Sequence, residues 1–131
     1  MTTLTKQDLD QLCGDVVRYR HPLNRKIIYT PGVKHVAESG DAYWLVDAIT
    51  FWMTSQDYLH ATAYDERLCY MVFWTLEVKD DKSAVLTGRA DSDAKAAFTQ
   101  HVPYTDFPLS KIDIWAATDG QHWTLYLPSE H

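Results

Sequence analysis

The stretch Ala42-Tyr-Trp-Leu-Val-Asp-Ala-Ile-Thr-Phe-Trp-Met53 decides the fold of this chain. Apolar residues recur in it at i, i+1, i+4, i+5 and i+8, the spacing of one face of an α-helix, and further apolar residues widen that face. A helix that is apolar nearly all round is typically buried. Because twelve residues are fewer than the roughly twenty that span a bilayer, we interpret the stretch as the central core helix of a soluble domain.

One carboxylate interrupts this apolar helix and needs an explanation. Asp47 belongs to a narrow polar stripe with Tyr43, Thr50 and Thr54, which are spaced by three or four residues and therefore lie on one side. A carboxylate on a largely buried helix must be paired, hydrogen-bonded or protonated, because an unpaired buried charge is costly. Two roles for Asp47 are open. It anchors a backbone turn or a nearby Lys or Arg, or it is a ligand-facing acid/base carboxylate.

The residues before this helix predict two further helices and a strand. Thr5-Lys-Gln-Asp8 has the form of a capping box and predicts a short helix over residues 6–13. Residues 16–24 are predicted as loop and residues 25–29 as a short strand. The segment that follows, with Thr30 as N-cap and Pro31 at the first helical position, predicts a helix to about Glu38, after which Asp41 caps the central helix.

The chain after the central helix changes from helical to strand periodicity. Residues 54–67 are polar with room for another helical turn, and from Cys69 to Lys79 apolar residues alternate with polar ones, as in a half-buried strand. Residues 83–88 predict its hairpin partner. Its register stays open, since a three-residue loop sets Leu86 opposite Leu76 and a two-residue loop sets Val85 there. Residues 96–102 predict a third strand, although their alanine content also suits a helix.

The last part of the chain predicts a β-hairpin. Asp119-Gly120 between two alternating runs is typical of a type I′ turn, which pairs Ile114 with Leu125 on an apolar face and Trp115 with Thr124 on a wetter one. The whole sequence therefore predicts one α+β domain over residues 1–131. Its N-terminal helices, including the buried central helix, pack on one face of a four- to five-stranded antiparallel sheet that ends in this hairpin.

Composition and charge limit the classes of function. The net charge of −6 and the pI of about 5.3 give no electrostatic attraction to nucleic acid or to an anionic membrane. Cys13 and Cys69 stand far apart in no metal-like spacing, so we interpret both as reduced thiols and Cys69 as buried. The first residues lack a charged segment followed by an apolar run, so no export signal is expected. The cytoplasm is the expected compartment.

Five passages of the chain resemble a family of small bacterial proteins known only as a domain of unknown function. They are Leu23-Asn-Arg-Lys26, Tyr29-Thr-Pro-Gly-Val33, Ala42-Tyr-Trp-Leu-Val-Asp-Ala-Ile49, Tyr104-Thr-Asp-Phe-Pro-Leu109 and Leu127-Pro-Ser-Glu130, in the same order and over nearly the whole chain. Members of that family more often have Asp where this chain has Pro31, and they end in Tyr where it has His131. The resemblance implies a shared fold and a bacterial setting, and no catalytic residue.

Motifs of enzymes are not found in this sequence. It contains no P-loop, no G-x-G-x-x-G and no G-x-S-x-G, and its histidines show no metal-ligand spacing, so neither a cofactor nor a metal is predicted. Cys69 together with a histidine could form a nucleophile pair, but no motif surrounds it. An enzyme whose site is scattered around Asp47, Cys69 and a histidine therefore stays the alternative.

Aromatic and acidic residues near the end of the chain indicate a binding surface. Tyr104, Asp106 and Phe107 lie in a loop that either forms an Asx turn before Pro108 or displays a recognition surface. Trp115 and Tyr126, on the wetter hairpin face, would extend that surface. Alternatively, these two residues belong to a second core or to a homodimer interface.

These residues favour a small non-enzymatic binding protein that uses an aromatic-acidic sheet face. Asp47 is a further candidate binding residue, and the partner is expected to be another protein or a second copy of the chain. An acidic inhibitor of a nucleic-acid-binding protein is a variant of this hypothesis, for which a charge of −6 is weak support. A flat apolar patch with Trp115 and Tyr126 would favour the binding protein, whereas a pocket joining Asp47 and a histidine would favour the enzyme.

Overall fold

The computed structural model describes residues 18–130, in which it contains three α-helices and one seven-stranded sheet. The helices are α1 (Pro31–Ser39), α2 (Tyr43–Met53) and α3 (Gln56–Tyr64). The strands are β1 (Tyr19–Arg20), β2 (Ile27–Tyr29), β3 (Met71–Val78), β4 (Ala84–Arg89), β5 (Ala96–Val102), β6 (Lys111–Thr118) and β7 (Trp123–Tyr126), and short 3₁₀ helices occupy Glu66–Cys69 and Pro128–Glu130. The helix predicted over residues 6–13 lies outside the described residues.

The sheet is mixed, with the strand order β1-β2-β7-β6-β3-β4-β5. Strands β3 to β7 are antiparallel neighbours, as predicted, but β2 pairs with β7 in parallel and β1 extends the sheet beyond it. The prediction of four or five antiparallel strands is therefore wrong at this edge, and so is the loop assigned to residues 16–24 where β1 forms. Strands of two and three residues are too short to show an alternating pattern.

The two predicted helix starts have different outcomes. Thr30 caps α1 as predicted, because its side chain accepts a hydrogen bond from the N–H of Val33 and Pro31 begins the helix. The cap predicted for α2 is wrong. Asp41 has a φ of 50°, and Ala42 takes the N-cap position without a side-chain hydrogen bond. The tight connection after α1 uses Asp41 for this left-handed backbone, which Asp adopts more readily than most residues.

Helix α2 forms over the predicted residues but is not buried on all sides. Its inner face, which consists of Leu45, Val46, Ile49, Thr50 and Met53, packs into the core. Phe51 is 69% exposed, and Asp47 also faces solvent. The prediction of a nearly all-buried helix fails because the helix lies on one sheet face, so that only one side of it can be covered.

The strand pairing resolves the register that the sequence left open. Leu76 lies opposite Leu86, as the three-residue loop requires, and residues 96–102 form strand β5 rather than a helix. Along β3 the buried residues are Val72, Trp74 and Leu76, which face the helices. Tyr70, which the alternation also placed inside, is exposed because it ends the preceding 3₁₀ helix before the strand begins.

The last hairpin is present, but its turn and register differ from the prediction. Trp115 pairs with Tyr126 and Thr118 with Trp123, which leaves a four-residue connection instead of a two-residue type I′ turn. Gly120 has a φ of +96° and Asp119 is not left-handed, whereas a type I′ turn needs both. The carboxylate of Asp119 instead accepts from the N–H groups of Gln121 and His122, each at 2.8 Å. The register shift of two residues preserves which side chains face the core.

The sheet has two chemically different faces. The helices cover the first, where Trp74, Leu86, Ile114 and Leu125 join the core. On the second face the intervening residues of the same strands point away from the helices, and they include aromatic, charged and hydroxyl side chains: Phe73, Thr75, Thr87, Arg89, Asp113, Trp115 and Tyr126. The candidate functional site lies on this second face.

Gly88 gives a test of the core arrangement. A Cβ at this position would lie 2.8 Å from Trp74 Cζ3 and 3.0 Å from Phe98 Cδ2, and the two rings stack at 5.6 Å between centroids. Gly88→Ala should therefore lower the free energy of unfolding by about 1–3 kcal/mol in urea titrations, because rings packed in a core cannot move apart cheaply. Thr99→Ala, at an exposed position of neighbouring β5, is the control and should change it little. Equal stability of the two variants would contradict the stacking.

Candidate functional site

A pocket of about 300 Å³ lies on the second sheet face, between β3, β4 and β6. We call it the Trp115 pocket, and its lining residues are Phe73, Thr75, Glu77, Arg89, Ser92, Lys111, Asp113 and Trp115. Strand register explains why they meet. Phe73 lies opposite both Arg89 on β4 and Trp115 on β6, and Thr75 lies opposite Asp113. Side chains on a strand point to the same face at every second residue, so these strands supply one continuous surface.

Two charged side chains in the pocket are held in place by their neighbours. Arg89 donates from Nε to the carbonyl of Ala94 at 3.1 Å and from Nη1 to Thr87 Oγ1 at 2.7 Å. Asp113 Oδ1 accepts from Thr75 Oγ1 at 2.7 Å. Within residues 18–130 no ion pair shorter than 4.0 Å involves either of them. The pocket therefore presents a guanidinium and a carboxylate that are oriented but do not neutralise each other.

An aromatic row forms one side of the pocket and continues beyond it. The rings of Phe73 and Trp115 meet edge to face at 4.9 Å between centroids, and those of Trp115 and Tyr126 meet at 6.1 Å. Tyr126 is only 9% exposed, and this burial raises the pKa of its hydroxyl. The row joins Trp115 and Tyr126 as the sequence suggested. Phe73 also belongs to the row, and Arg89 and Asp113 line the pocket beside it. Sequence reasoning missed these three as site residues because none of them stands in a recognisable motif.

The side chains of the loop over residues 104–107 do not all lie on the surface, so the loop does not extend this sheet face as a whole. Tyr104 is 63% exposed and donates from its hydroxyl to Asp106 Oδ1 at 2.6 Å, which raises the pKa of Tyr104. Phe107 points the other way and is buried in the core, where it packs against Gly40 between α1 and α2. The N–H of Phe107 donates to Thr105 Oγ1 at 3.2 Å. Tyr104 and Asp106 are thus surface residues, whereas Phe107 anchors the loop.

Asp47 contacts a histidine, in an arrangement that resembles half of a catalytic triad. His21 is 5% exposed and donates from Nε2 to Asp47 Oδ1 at 2.8 Å, while the Asp47 side chain is 66% exposed. His21 Nδ1 accepts from the N–H groups of Leu23 and Asn24, each at 3.1 Å, which fixes the proton on Nε2. In a triad the second ring nitrogen accepts the proton of the nucleophile's hydroxyl. Here that nitrogen is used by the backbone, so the pair joins the β1–β2 loop to α2.

Cys69 lies apart from this pair and differs from its prediction. It is exposed at the end of the 3₁₀ helix Glu66–Cys69, so the buried thiol at a strand start is wrong. The strand begins two residues later, at Met71, because the chain first completes a turn in which Tyr70 N–H donates to the carbonyl of Arg67. In the described part of the chain no three His, Cys, Asp or Glu side chains converge to hold a metal ion.

A buried carboxylate that the sequence reasoning missed connects the end of the chain to α1. Glu130 is 9% exposed; its Oε1 accepts from Thr30 Oγ1 at 2.6 Å and from Leu127 N–H at 2.9 Å, and its Oε2 accepts from Gly32 N–H at 3.2 Å. A negative charge at a helix N-terminus is favourable, since the first N–H groups point toward it. Thr30, Gly32 and Glu130, which we call the Glu130 clamp, come from two of the passages that carry the family resemblance.

The fold and the pocket together define a class: an α+β protein with helices on one face of a mixed sheet and a polar-aromatic pocket on the other. The chain belongs to a family of unknown function, DUF6876, whose sequence model matches residues 3–131. Neither a curated protein nor a solved structure is detectably similar to it. The family confirms the resemblance seen in the sequence and names no activity. Over residues 18–130, no helix combines the length and apolar character needed to cross a membrane.

The Glu130 clamp predicts a coupling between two positions that are far apart in sequence. A Cβ at position 32 would lie 2.5 Å from Glu130 Oε1, so Gly32→Ala should displace the carboxylate and lower the free energy of unfolding by about 1–3 kcal/mol. In a Glu130→Ala background the same change should cost little, because the space is then open. A double-mutant cycle measured by urea unfolding gives the coupling. The matched cycle with exposed Glu66→Ala should be additive, and additivity in both cycles would contradict the clamp.

The His21–Asp47 pair predicts unequal effects at its two members. Asp47→Asn should change the free energy of unfolding by less than about 1 kcal/mol, because the carboxylate is largely exposed and the amide oxygen can still accept from His21 Nε2. His21→Ala should cost about 2–4 kcal/mol, since it empties a buried site and leaves two backbone N–H groups without their acceptor. Thermal and urea unfolding of both variants check this order. If Asp47→Asn lowered the free energy of unfolding as much as His21→Ala, the stabilisation would depend on the Asp47 carboxylate and the predicted order would be wrong.

Proposed function

We propose that this protein is a non-enzymatic binding protein that takes a small polar ligand into the Trp115 pocket. One observation carries the proposal: an aromatic pair and two oriented, opposite charges surround one concavity on the sheet. Ligand sites typically combine apolar walls with a few fixed polar groups. Side chains on paired strands are positioned more rigidly than those on loops, which suits recognition. Of the residues expected from the sequence, Trp115 lines the pocket and Tyr126 packs beside Trp115, while Asp113 takes the acidic role that the sequence assigned to Asp106 and Asp47.

Binding is favoured over catalysis by the environments of the candidate catalytic groups. The His21 ring has both nitrogens in use, one with Asp47 and one with the backbone, so it is poorly suited to move a proton for a substrate. Cys69 is exposed on a different element, and among the described residues its sulfur makes no hydrogen bond to a histidine. These residues leave the scattered-site enzyme without the nucleophile and base contact that it needs.

The kind of partner follows from the shape and charge of the pocket. A concave site with two acids and two bases suits a ligand with charges of its own better than a flat apolar interface does. It also differs from a row of carboxylates that imitates phosphates, which disfavours the inhibitor of a nucleic-acid-binding protein. The homodimer and a protein partner stay predictions. We also propose a bacterial, cytoplasmic setting, from the family resemblance and because an exposed thiol such as Cys69 suits a reducing compartment.

Protein-observed amide NMR with a library of small aromatic amines, carboxylates and zwitterions tests the proposal. We expect binders whose amide shift changes map to β3, β4 and β6, and whose binding is lost in Trp115→Ala. Truncating a buried aromatic contact typically weakens binding by about 1–3 kcal/mol or more, which removes a weak binder from detection. Phe51→Ala is the matched control, because it removes an exposed aromatic ring from the helical side of the sheet.

A second variant guards against loss of fold in Trp115→Ala. Phe73→Leu keeps an apolar side chain but removes the ring that meets Trp115, and it should weaken the same binders about tenfold. Binding that persists in both variants, or shift changes confined to the helical side, would overturn the proposed site.

A further inference from the structure

We infer that the ligand of the Trp115 pocket is an extended zwitterion, a peptide of two or three residues with free termini. This inference rests on the proposed function and names the class of ligand for the same site. Its carboxylate would bind Arg89, its ammonium would bind Asp113, and an apolar or aromatic side chain would lie against Phe73 and Trp115.

The hydrogen bonds around the two charges leave one atom of each available for a ligand. Arg89 uses Nε and Nη1 for Ala94 and Thr87, and its Nη2 has no partner among the described residues. Asp113 uses Oδ1 for Thr75, and Oδ2 likewise has no donor there. Both side chains are half-buried, so solvent and salt screen them less than surface charges. A guanidinium that is already oriented binds a carboxylate with little further ordering.

The other two charges of the pocket are less suited to this task. Glu77 and Lys111 lie directly opposite each other on β3 and β6, where opposite charges offset one another across the strands. Both are exposed, whereas Asp113 lies opposite Thr75 and is fixed by it. Asp113 rather than Glu77 is therefore the acceptor for the ammonium.

Strand geometry sets the length of the ligand. Arg89 and Asp113 stand on β4 and β6, the two strands that flank β3, and they lie opposite Phe73 and Thr75, two residues apart along β3. Two interstrand spacings of roughly 5 Å each and this offset along the strand separate their backbones by roughly 12 Å, and the two side chains shorten the gap between the charged groups. An extended peptide spans about 3.4 Å per residue, so two or three residues reach between the charged groups. A single α-amino acid, whose ammonium and carboxylate share one carbon, is too short. The pocket volume of about 300 Å³ is at the small end for a ligand site and suits a molecule of this size.

The test uses alanyl-phenylalanine in three forms: with free termini, with an acetylated amine, and with an amidated carboxylate. Isothermal titration calorimetry should show the free form binding tightest, with each blocked form about tenfold to hundredfold weaker. The compound 6-aminohexanoate carries the same charges at a similar spacing without a peptide bond. If 6-aminohexanoate binds, the two charges are sufficient for recognition and the peptide bond is not required. If it does not bind while alanyl-phenylalanine does, recognition requires the peptide.

Matched variants connect each end of the ligand to one side chain. Arg89→Gln should weaken the free peptide about tenfold or more and leave the amidated form unchanged. Asp113→Asn should weaken the free peptide similarly and leave the acetylated form unchanged. Arg25→Gln and Asp93→Asn change the same charges at exposed positions outside the pocket and should have no effect.

The outcomes separate this inference from the proposed function. Equal binding of the free and blocked peptides, lost in Trp115→Ala, would overturn the zwitterion and keep the site. Binding of library compounds alone, with no peptide form bound, would do the same. If no compound of any class binds in a Trp115-dependent way, both the inference and the proposed function are wrong.

Discussion

The attachment of the helices to the sheet depends on the parallel pairing of β2 with β7. Strand β2 leads directly into α1, so the position at which β2 pairs with the sheet also sets where the first helix begins. Three residues of parallel pairing are a weak connection by themselves. The Glu130 clamp strengthens it where β2 ends: the carboxylate that follows β7 caps α1, and Thr30 N–H donates to the carbonyl of Leu125. A charge at a helix N-terminus thus fixes one helix end against one strand.

This attachment determines which face of the sheet is left for chemistry. Once α1 starts beside β7 and leads into α2, the apolar sides of these helices cover the residues that include Trp74 and Leu86. Alternation along the strands then places Phe73, Arg89 and Trp115 on the second face. The polar residues on this face agree with the alternation of apolar and polar residues along the strands. They belong to a surface that the helices do not contact, and their hydrogen bonds orient them toward one concavity.

Local patterns predicted much of this fold from the sequence, and long-range pairing explains what they missed. The periodicity of residues 42–53, the cap at Thr30 and the alternation before Lys79 each concern neighbours in sequence, and each gave the right element. The parallel β2–β7 pairing and the Glu130 clamp join residues about a hundred positions apart, which no local pattern contains. The turn at Asp119-Gly120 shows a different error. The local sequence predicted a two-residue type I′ turn, but Trp115 pairs with Tyr126 and the connection is longer.

The candidate site was less predictable than the fold, for a reason visible in the family's own passages. Those passages supply both partners of the contact of Gly32 with Glu130, and one partner in each of two others, Asp47 with His21 and Phe107 with Gly40. None of the residues that line the Trp115 pocket lies in them. These passages therefore concern the architecture of the sheet and its helices. Most of the residues that line the pocket stand on strands between them, and a shared fold does not by itself define a ligand, so only strand register and side-chain contacts reveal the chemistry of the pocket.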